Sequence, residues 1–249
     1  MKQNRTPIRL LVFDIDGVLT DGEGQPLDLD LMGQLAQMNQ AARQDPTRPA
    51  VTLCTGRPGP YVEIMLQAID GHLPAIYENG AGLYVPEHYR FFPHPDVGNG
   101  LEFKIAERKL EEALVESGRA FFQPGKQFSH SLFAYDPADT PALLNWAVEA
   151  LGPLAETVGF SYASSCLNVL PRGLNKGKGL EFLVQQTEYR PEEILGVGDS
   201  ESDLPFLVQS GFSAAPANAH EMVKQVVQYV SPYSTVEGVR DILDHFGLS

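Results

Sequence analysis

Hydrophobic positions along the 249-residue chain follow two rhythms. Toward both ends, unbroken apolar runs alternate with amphipathic stretches. "IRLLVFD" (8–14), "AVTLC" (50–54), "AIYENG" (75–80, a strand with its turn), "ILGVGD" (194–199) and "FSAAP" (212–216) read as strands. Residues 28–43, 60–70, 177–188, 203–210, 218–227 and 235–246 read as helices between and after them. A strand without polar alternation is buried on both faces, so this pattern predicts a parallel sheet covered by helices on either side.

The middle of the chain reads differently. Phe103, Ala106, Leu110, Ala113 and Leu114 share one helical face within 101–117. "RAFFQ" (119–123) and "FSHSLFAYD" (128–136) follow as strands around a Pro124-Gly125 turn, then a helix over 139–151, then "TVGFSYAS" (157–164) and "LNVLP" (167–171). Helix–strand–strand twice over predicts an open antiparallel sheet with helices on one side. The expected fold is therefore α/β: a Rossmann-like parallel core from residues 1–82 and 172–249, carrying an α+β insert at 83–171.

Parallel sheets bind ligands beyond the carboxyl ends of their strands. Four chemistry-bearing stretches fall there: Asp14-Ile15-Asp16, Thr55-Gly56-Arg57, Lys176-Gly177 opening a helix, and Gly198-Asp199-Ser200-Glu201-Ser202-Asp203. Two carboxylates at one strand end repel each other unless a positive charge stands between them. Neither acidic cluster is an EF-hand: counted from Asp14, position five is Val18, six is Leu19 and twelve is Gln25, where oxygen ligands and a glycine are needed. "GDSES" lacks the second glycine of a nucleophile elbow. Taken singly, each stretch also reads as a turn or helix cap; the four in this order point to one site.

Charge narrows the partners. Eighteen Lys and Arg against 32 Asp and Glu leave a formal charge of −14, which repels nucleic-acid phosphates and anionic lipid. No signal-peptide core or membrane-spanning run is read in the sequence. Cys54 and Cys166 offer neither a disulfide framework nor zinc spacing, so the expected setting is the reduced cytoplasm and the expected partner a small molecule.

"DIDGVLT", "CTGRP", "LPRGLNKGKGL" and "GVGDSESD" resemble the four ordered motifs of the haloacid dehalogenase (HAD) superfamily. The tail "AAPANAHEMVKQVVQYVSPYSTVEGV" and the αββαββ order of the insert resemble the branch that holds Cof-like sugar phosphatases, sucrose-phosphatase-like enzymes and archaeal-type phosphoglycolate phosphatases. "DIDGVLTDG" taken alone resembles the capless phosphatases of bacterial surface-sugar synthesis, which carry no comparable insert.

The resemblance implies a phosphatase for a small phosphate monoester, a sugar phosphate or a phosphocarboxylate such as phosphoglycolate, working through an aspartyl phosphate. Hydrolysis of such esters needs accelerations of up to ~10²¹, of which general acid–base catalysis supplies only ~10²–10⁴. A nucleophile and strong charge stabilisation are needed as well. Asp14 is the expected nucleophile. Mg²⁺, held by an Asp14 oxygen, the Asp16 backbone carbonyl and Asp199, is the expected positive partner. Asp16 would exchange a proton with the leaving group and then with water. Thr55, the Gly56 amide and Lys176 would bind the phosphoryl group, with Asp203 behind them holding water or Lys176. Expected substrate contacts are Arg57 and Asn79 in the core, and Lys126, His130, Ser164, Ser165, Asn168 and Arg172 in or beside the insert. The alternatives are a hexose phosphomutase of the same superfamily, or a sugar-phosphate-binding regulator without turnover.

Overall fold

The computed structural model describes residues 7–98, 100–163 and 165–248. In chain order, the first half comprises β1 (Leu10–Phe13), α1 (Leu29–Gln44), β2 (Ala50–Leu53), α2 (Gly59–Ala68), β3 (Ala75–Tyr77), β4 (Gly82–Val85), β5 (Arg90–Pro93), α3 (Leu101–Leu110) and β6 (Ala120–Phe122). β7 (His130–Ala134), α4 (Leu143–Leu151), β8 (Val158–Tyr162), β9 (Leu167–Pro171), α5 (Lys176–Gln185) and β10 (Ile194–Val197) follow. The chain continues through α6 (Leu204–Leu207), β11 (Phe212–Ala215), α7 (Glu221–Lys224), β12 (Tyr229–Val230) and α8 (Thr235–His245).

Five parallel strands lie in the order β12-β11-β10-β1-β2. Successive side chains of a strand point to opposite faces, and β1 divides accordingly. Leu11 and Phe13 pack with α1, α2 and α8 through Leu35, Met65 and Ile242, whereas Leu10 and Val12 pack with α5, α6 and α7 through Leu183, Phe206 and Val223. The continuous apolar strands therefore do fill a two-sided sheet. Buried Asn39 of α1 pins one edge, accepting from Val51 N–H (2.8 Å) and donating to the Ile69 carbonyl (2.9 Å).

β3 continues the sheet from β2 by a single bridge, Cys54 to Ile76, and then turns into an antiparallel hairpin with β4 and β5. The sequence reading starts the insert at residue 83, but Leu83 and Tyr84 are buried in the two core clusters of the parallel domain. The insert's own packed core instead runs from Phe103 to Val169. The 82–93 hairpin was hidden because its apolar residues join a core built elsewhere in the chain. Strands β6-β7-β9-β8 form the insert's antiparallel sheet, with α3 and α4 packed on one face. Its other face turns Ser131 of β7 and its register partner Asn168 of β9 toward the carboxyl ends of the parallel strands, where both line a cavity shared with Asp14.

Candidate active site

Three neighbouring strands deliver the acids and the hydroxyl. Asp14 follows β1 and is fixed by its N–H donating to the Val197 carbonyl (2.9 Å), while Asp199 leaves the end of β10 next door. Thr55 follows β2 and is buried. Lys176 enters from the first position of α5, whose start is capped by the Asn175 side chain accepting from Lys178 N–H (3.0 Å). Its ammonium lies 2.9 Å from Asp14 Oδ1 and donates to Asp203 Oδ1 at 2.5 Å. The other Asp203 oxygen accepts from Asp199 N–H, Ser200 N–H and the Ser200 hydroxyl, so both its oxygens are occupied. Gly17 has a φ of +82°, and a Cβ there would stand 2.2 Å from Asp199 Oδ2; only glycine lets the loop after β1 pass this close.

Asp16 faces Asp14 across the same cavity. Arg57 grips it with two parallel bonds, Nε to Oδ2 and Nη2 to Oδ1, both 2.7 Å, and the guanidinium lies 4.8 Å over the Tyr61 ring. Thr55 Oγ1 accepts from Arg57 N–H (3.2 Å), leaving its own proton free to donate. Asn79 sits beside them in a left-handed conformation (φ 55°), with Nδ2 buried and without a partner among the described residues. The cavity is small, about 60 Å³, room for only a few water molecules.

The site is short of positive charge. Burial pushes the Asp14 carboxyl up to about 7, with Asp203 and Asp16 adding to the rise and Lys176 opposing it. Burial and the neighbouring Asp14 and Asp203 push Asp199 up to about 8. Burial works against charge on Lys176 too, but Asp14 and Asp203 outweigh it and hold the ammonium protonated. One lysine thus stands among three carboxylates.

A family model for haloacid dehalogenase-like hydrolases matches residues 99–243, more than half of the chain. The chain belongs to the haloacid dehalogenase-like hydrolases. Among related proteins, phosphoglycolate phosphatase 1 of Saccharolobus solfataricus is 24% identical over 245 residues, covering 95% of both chains. The phosphoglycolate phosphatase of Thermoplasma volcanium is 26% identical over 243 residues, covering 97% of this chain and 99% of that protein. A crystal structure of a Thermoplasma acidophilum protein superposes with a TM-score of 0.74 at 23% identity, covering 98% of this chain and all of that one. The sucrose-phosphatase of Synechocystis, solved with sucrose and phosphate, gives 0.70 at 18% identity over 97% and 98%. The family and the fold match the resemblance read from the sequence motifs.

Within this hydrolase the donor set fits a hard divalent cation. Candidate oxygens of Asp14, Asp199 and Asp203 lie within 4.8 Å of one another, and Asp199 Oδ1 is buried with no hydrogen-bond partner among the described residues. Carboxylate oxygens are what such an ion prefers. Since Asp203 is fully engaged by Lys176 and the loop, the open oxygens belong to Asp14 and Asp199.

The structure gathers most of the residues singled out from the sequence. Asp14, Asp16, Thr55, Gly56, Lys176 and Asp199 line the cavity, joined by Arg57, Asn79 and Asn168. Asp203 lies behind Lys176, fully buried. Lys126 reaches the cavity wall at one remove, its ammonium donating to Ser131 Oγ. Two expectations fail. His130 stacks on Phe103 (centroids 4.7 Å apart) and packs against Phe122 inside the insert, and burial drops its imidazole to about 4. Alternation along β7 sends His130 to the helices and its neighbour Ser131 to the cavity. Arg172 is exposed and donates to the Glu156 carbonyl, away from the site. Ser165 bonds Glu23 (2.7 Å), joining the insert to the loop after β1, and Ser164 lies outside the described residues. Glu23, Ser131 and Cys166 also line the cavity and were not anticipated, and Ser200 joins them from the 198–203 stretch at the end of β10; of the three, only Ser131 has a sequence signal, the alternation of β7.

Proposed function

We propose that this hydrolase is a magnesium-dependent phosphatase acting on a small phosphate monoester. The observation that carries this reading is the buried Asp14–Lys176–Asp203 arrangement beside the unpartnered oxygen of Asp199, facing Asp16 across one small cavity. Asp14 is the nucleophile: one of its oxygens bonds to phosphorus as the bond from phosphorus to the ester oxygen breaks. The leaving alkoxide takes a proton from Asp16. Water then attacks phosphorus and returns a proton to Asp16, and the Asp14–phosphorus bond breaks to release inorganic phosphate. The chemistry supplied by magnesium, held by Asp14, Asp199 and the Asp16 carbonyl, is charge neutralisation between an anionic nucleophile and an anionic ester.

Lys176 restrains Asp14 and neutralises the transferring group, a task suited to a compact charge. The Thr55 hydroxyl and the Gly56 N–H, which has no protein acceptor among the described residues, receive phosphoryl oxygens. Arg57 holds both oxygens of Asp16, so Asp16 delivers a proton only after exchanging that partner. A substrate anion drawing Arg57 to itself supplies the exchange. Phosphoglycolate, named in the activity of the relatives, is the first ester to try, followed by sugar phosphates.

The test is phosphate release from a panel of phosphorylated metabolites, with magnesium and with EDTA, for the native chain and Asp14→Asn. Release that requires magnesium and vanishes in the variant is expected; substantial residual turnover in Asp14→Asn refutes the nucleophile. If no ester is cleaved, sugar-phosphate interconversion with a bisphosphate primer tests the mutase reading.

A further inference from the structure

Glu78 is a fully buried carboxylate that the reaction above does not use. It follows β3 with a left-handed φ of 49°, and its side chain leaves the parallel domain to meet the insert. One oxygen accepts from Gln127 N–H (2.9 Å). The other accepts from Phe128 N–H (2.8 Å), Ser129 N–H (2.8 Å) and the Ser129 hydroxyl (3.1 Å). Four donors from three consecutive residues on one buried carboxylate make a strong attachment, since bonds to a charged acceptor are roughly twice as strong as neutral ones. Phe128 packs against the core cluster, and Gly125 lies against Pro58, so the whole turn before β7 is seated in the parallel domain.

Lys126 is the residue this attachment carries. Its ammonium donates to Ser131 Oγ, and Ser131 in turn donates to Asn168 Oδ1; Ser131 and Asn168 both line the catalytic cavity. No carboxylate pairs with Lys126 within ion-pair distance among the described residues. The nearby acid is Glu78, whose oxygens are already taken by the turn. Burial lowers the ammonium to about 8, with Glu78 opposing the drop, which keeps it charged at neutral pH. A charged ammonium therefore stands one hydroxyl behind the insert-side wall of the cavity, outside any direct ion pair among the described residues.

We propose that Glu78 is a positioning residue: by seating the 127–129 turn it fixes Lys126 behind Ser131, and so sets a preference for anionic over neutral leaving groups. The proposal rests on the phosphatase reading for the meaning of "leaving group", but its test needs no turnover. Phosphonoacetate and ethylphosphonate differ by a carboxylate in place of a methyl group and resist hydrolysis. Their binding in the presence of magnesium is measured by calorimetry on the native chain, Glu78→Gln, Lys126→Met and the double variant.

The native chain should prefer phosphonoacetate by about tenfold or more. Lys126→Met should abolish the preference and Glu78→Gln should reduce it to about twofold or less, because the glutamine amide turns donors toward donors. The double variant should lose nothing beyond Lys126→Met, the non-additivity expected of residues acting as one unit. Amide exchange at residues 127–129 should quicken in Glu78→Gln while α3 and α4 keep their protection. Absence of any preference in the native chain, full preference in Glu78→Gln, or additive losses in the double variant overturn the proposal. Should Glu78→Gln fail to fold, Ser129→Ala removes one of the four donors and should lower the preference severalfold; an unchanged preference there also overturns it. A native chain that releases phosphate from no ester refutes the phosphatase reading, and the binding comparison still decides this one.

Discussion

Asp199→Asn should stabilise the metal-free protein while destroying its response to magnesium. The Asp199 carboxyl titrates at about 8 in the folded chain against 3.8 for the ordinary group, mainly because burial beside Asp14 and Asp203 disfavours its charge. Between those values the folded site keeps a proton that the unfolded chain has released. The folded state thus binds more protons, and stability in EDTA falls as pH rises from about 4 to about 8. At pH 7 the interval from 3.8 spans about three pH units, each worth about 1.4 kcal/mol, so the cost is at most roughly 4 kcal/mol. An amide does not titrate and carries no such cost. About half of the maximum, near 2 kcal/mol, is the expected gain, because Asp14, also pushed up by burial, shares the burden. For a chain of this size that raises Tm by about 4–8 °C. Urea melts in EDTA across pH 5 to 8, then with magnesium, measure both effects. The native chain should lose stability across that range and regain it on adding magnesium, as binding to the folded state alone requires. A variant no more stable than the native chain in EDTA at pH 7, or a native curve flat from pH 5 to 8, refutes the reasoning.

Three further outcomes test other parts of the structure. Gly17→Ala places a Cβ 2.2 Å from Asp199 Oδ2 on a backbone with φ +82°; magnesium affinity should drop tenfold or more in a titration, and unchanged affinity would show the loop yields freely. His130→Leu replaces a ring stacked inside the insert, so KM should stay within about twofold; a large rise would return His130 to the substrate. Asn39→Ala strands the buried Val51 N–H and Ile69 carbonyl and should cost about 2–3 kcal/mol in chemical denaturation; a neutral result would mean water replaces the side chain.

The candidate site was legible because its residues sit at strand ends, where local sequence order and sheet geometry coincide. Asp14, Thr55 and Asp199 needed only the prediction that "LLVF", "AVTL" and "ILGV" are adjacent parallel strands, and they are. Lys176 was legible for the same reason, as the first residue of a helix aimed at those ends. Contacts made across long sequence separations were not legible. Glu78 reads locally as part of an "ENG" turn, and its partners lie 49 to 51 residues onward. The bidentate pairing of Arg57 with Asp16 spans 41 residues between two loops. His130 shows the limit of residue type as a guide: an imidazole invites a chemical role, but the two-residue period of β7 gave the inward position to a serine.

The central pairing of the sheet also sets when this protein acquires its chemistry. β1 lies between β2, which follows it closely, and β10, which is synthesised only after the whole insert. Until Ile194–Val197 docks on Leu10–Phe13, the Asp14 N–H has no Val197 carbonyl to hold it, and Asp199 has no place beside it. Closing so long a loop is slow, because its entropy must be lost before the contacts repay it. A nascent chain stalled short of β10 would carry Asp14 and the insert but not the carboxylate cluster that Asp14 forms with Asp199. On the proposed function, magnesium binding would report completion of the fold itself, and a pulse-chase of metal affinity during refolding would follow the last strand into place.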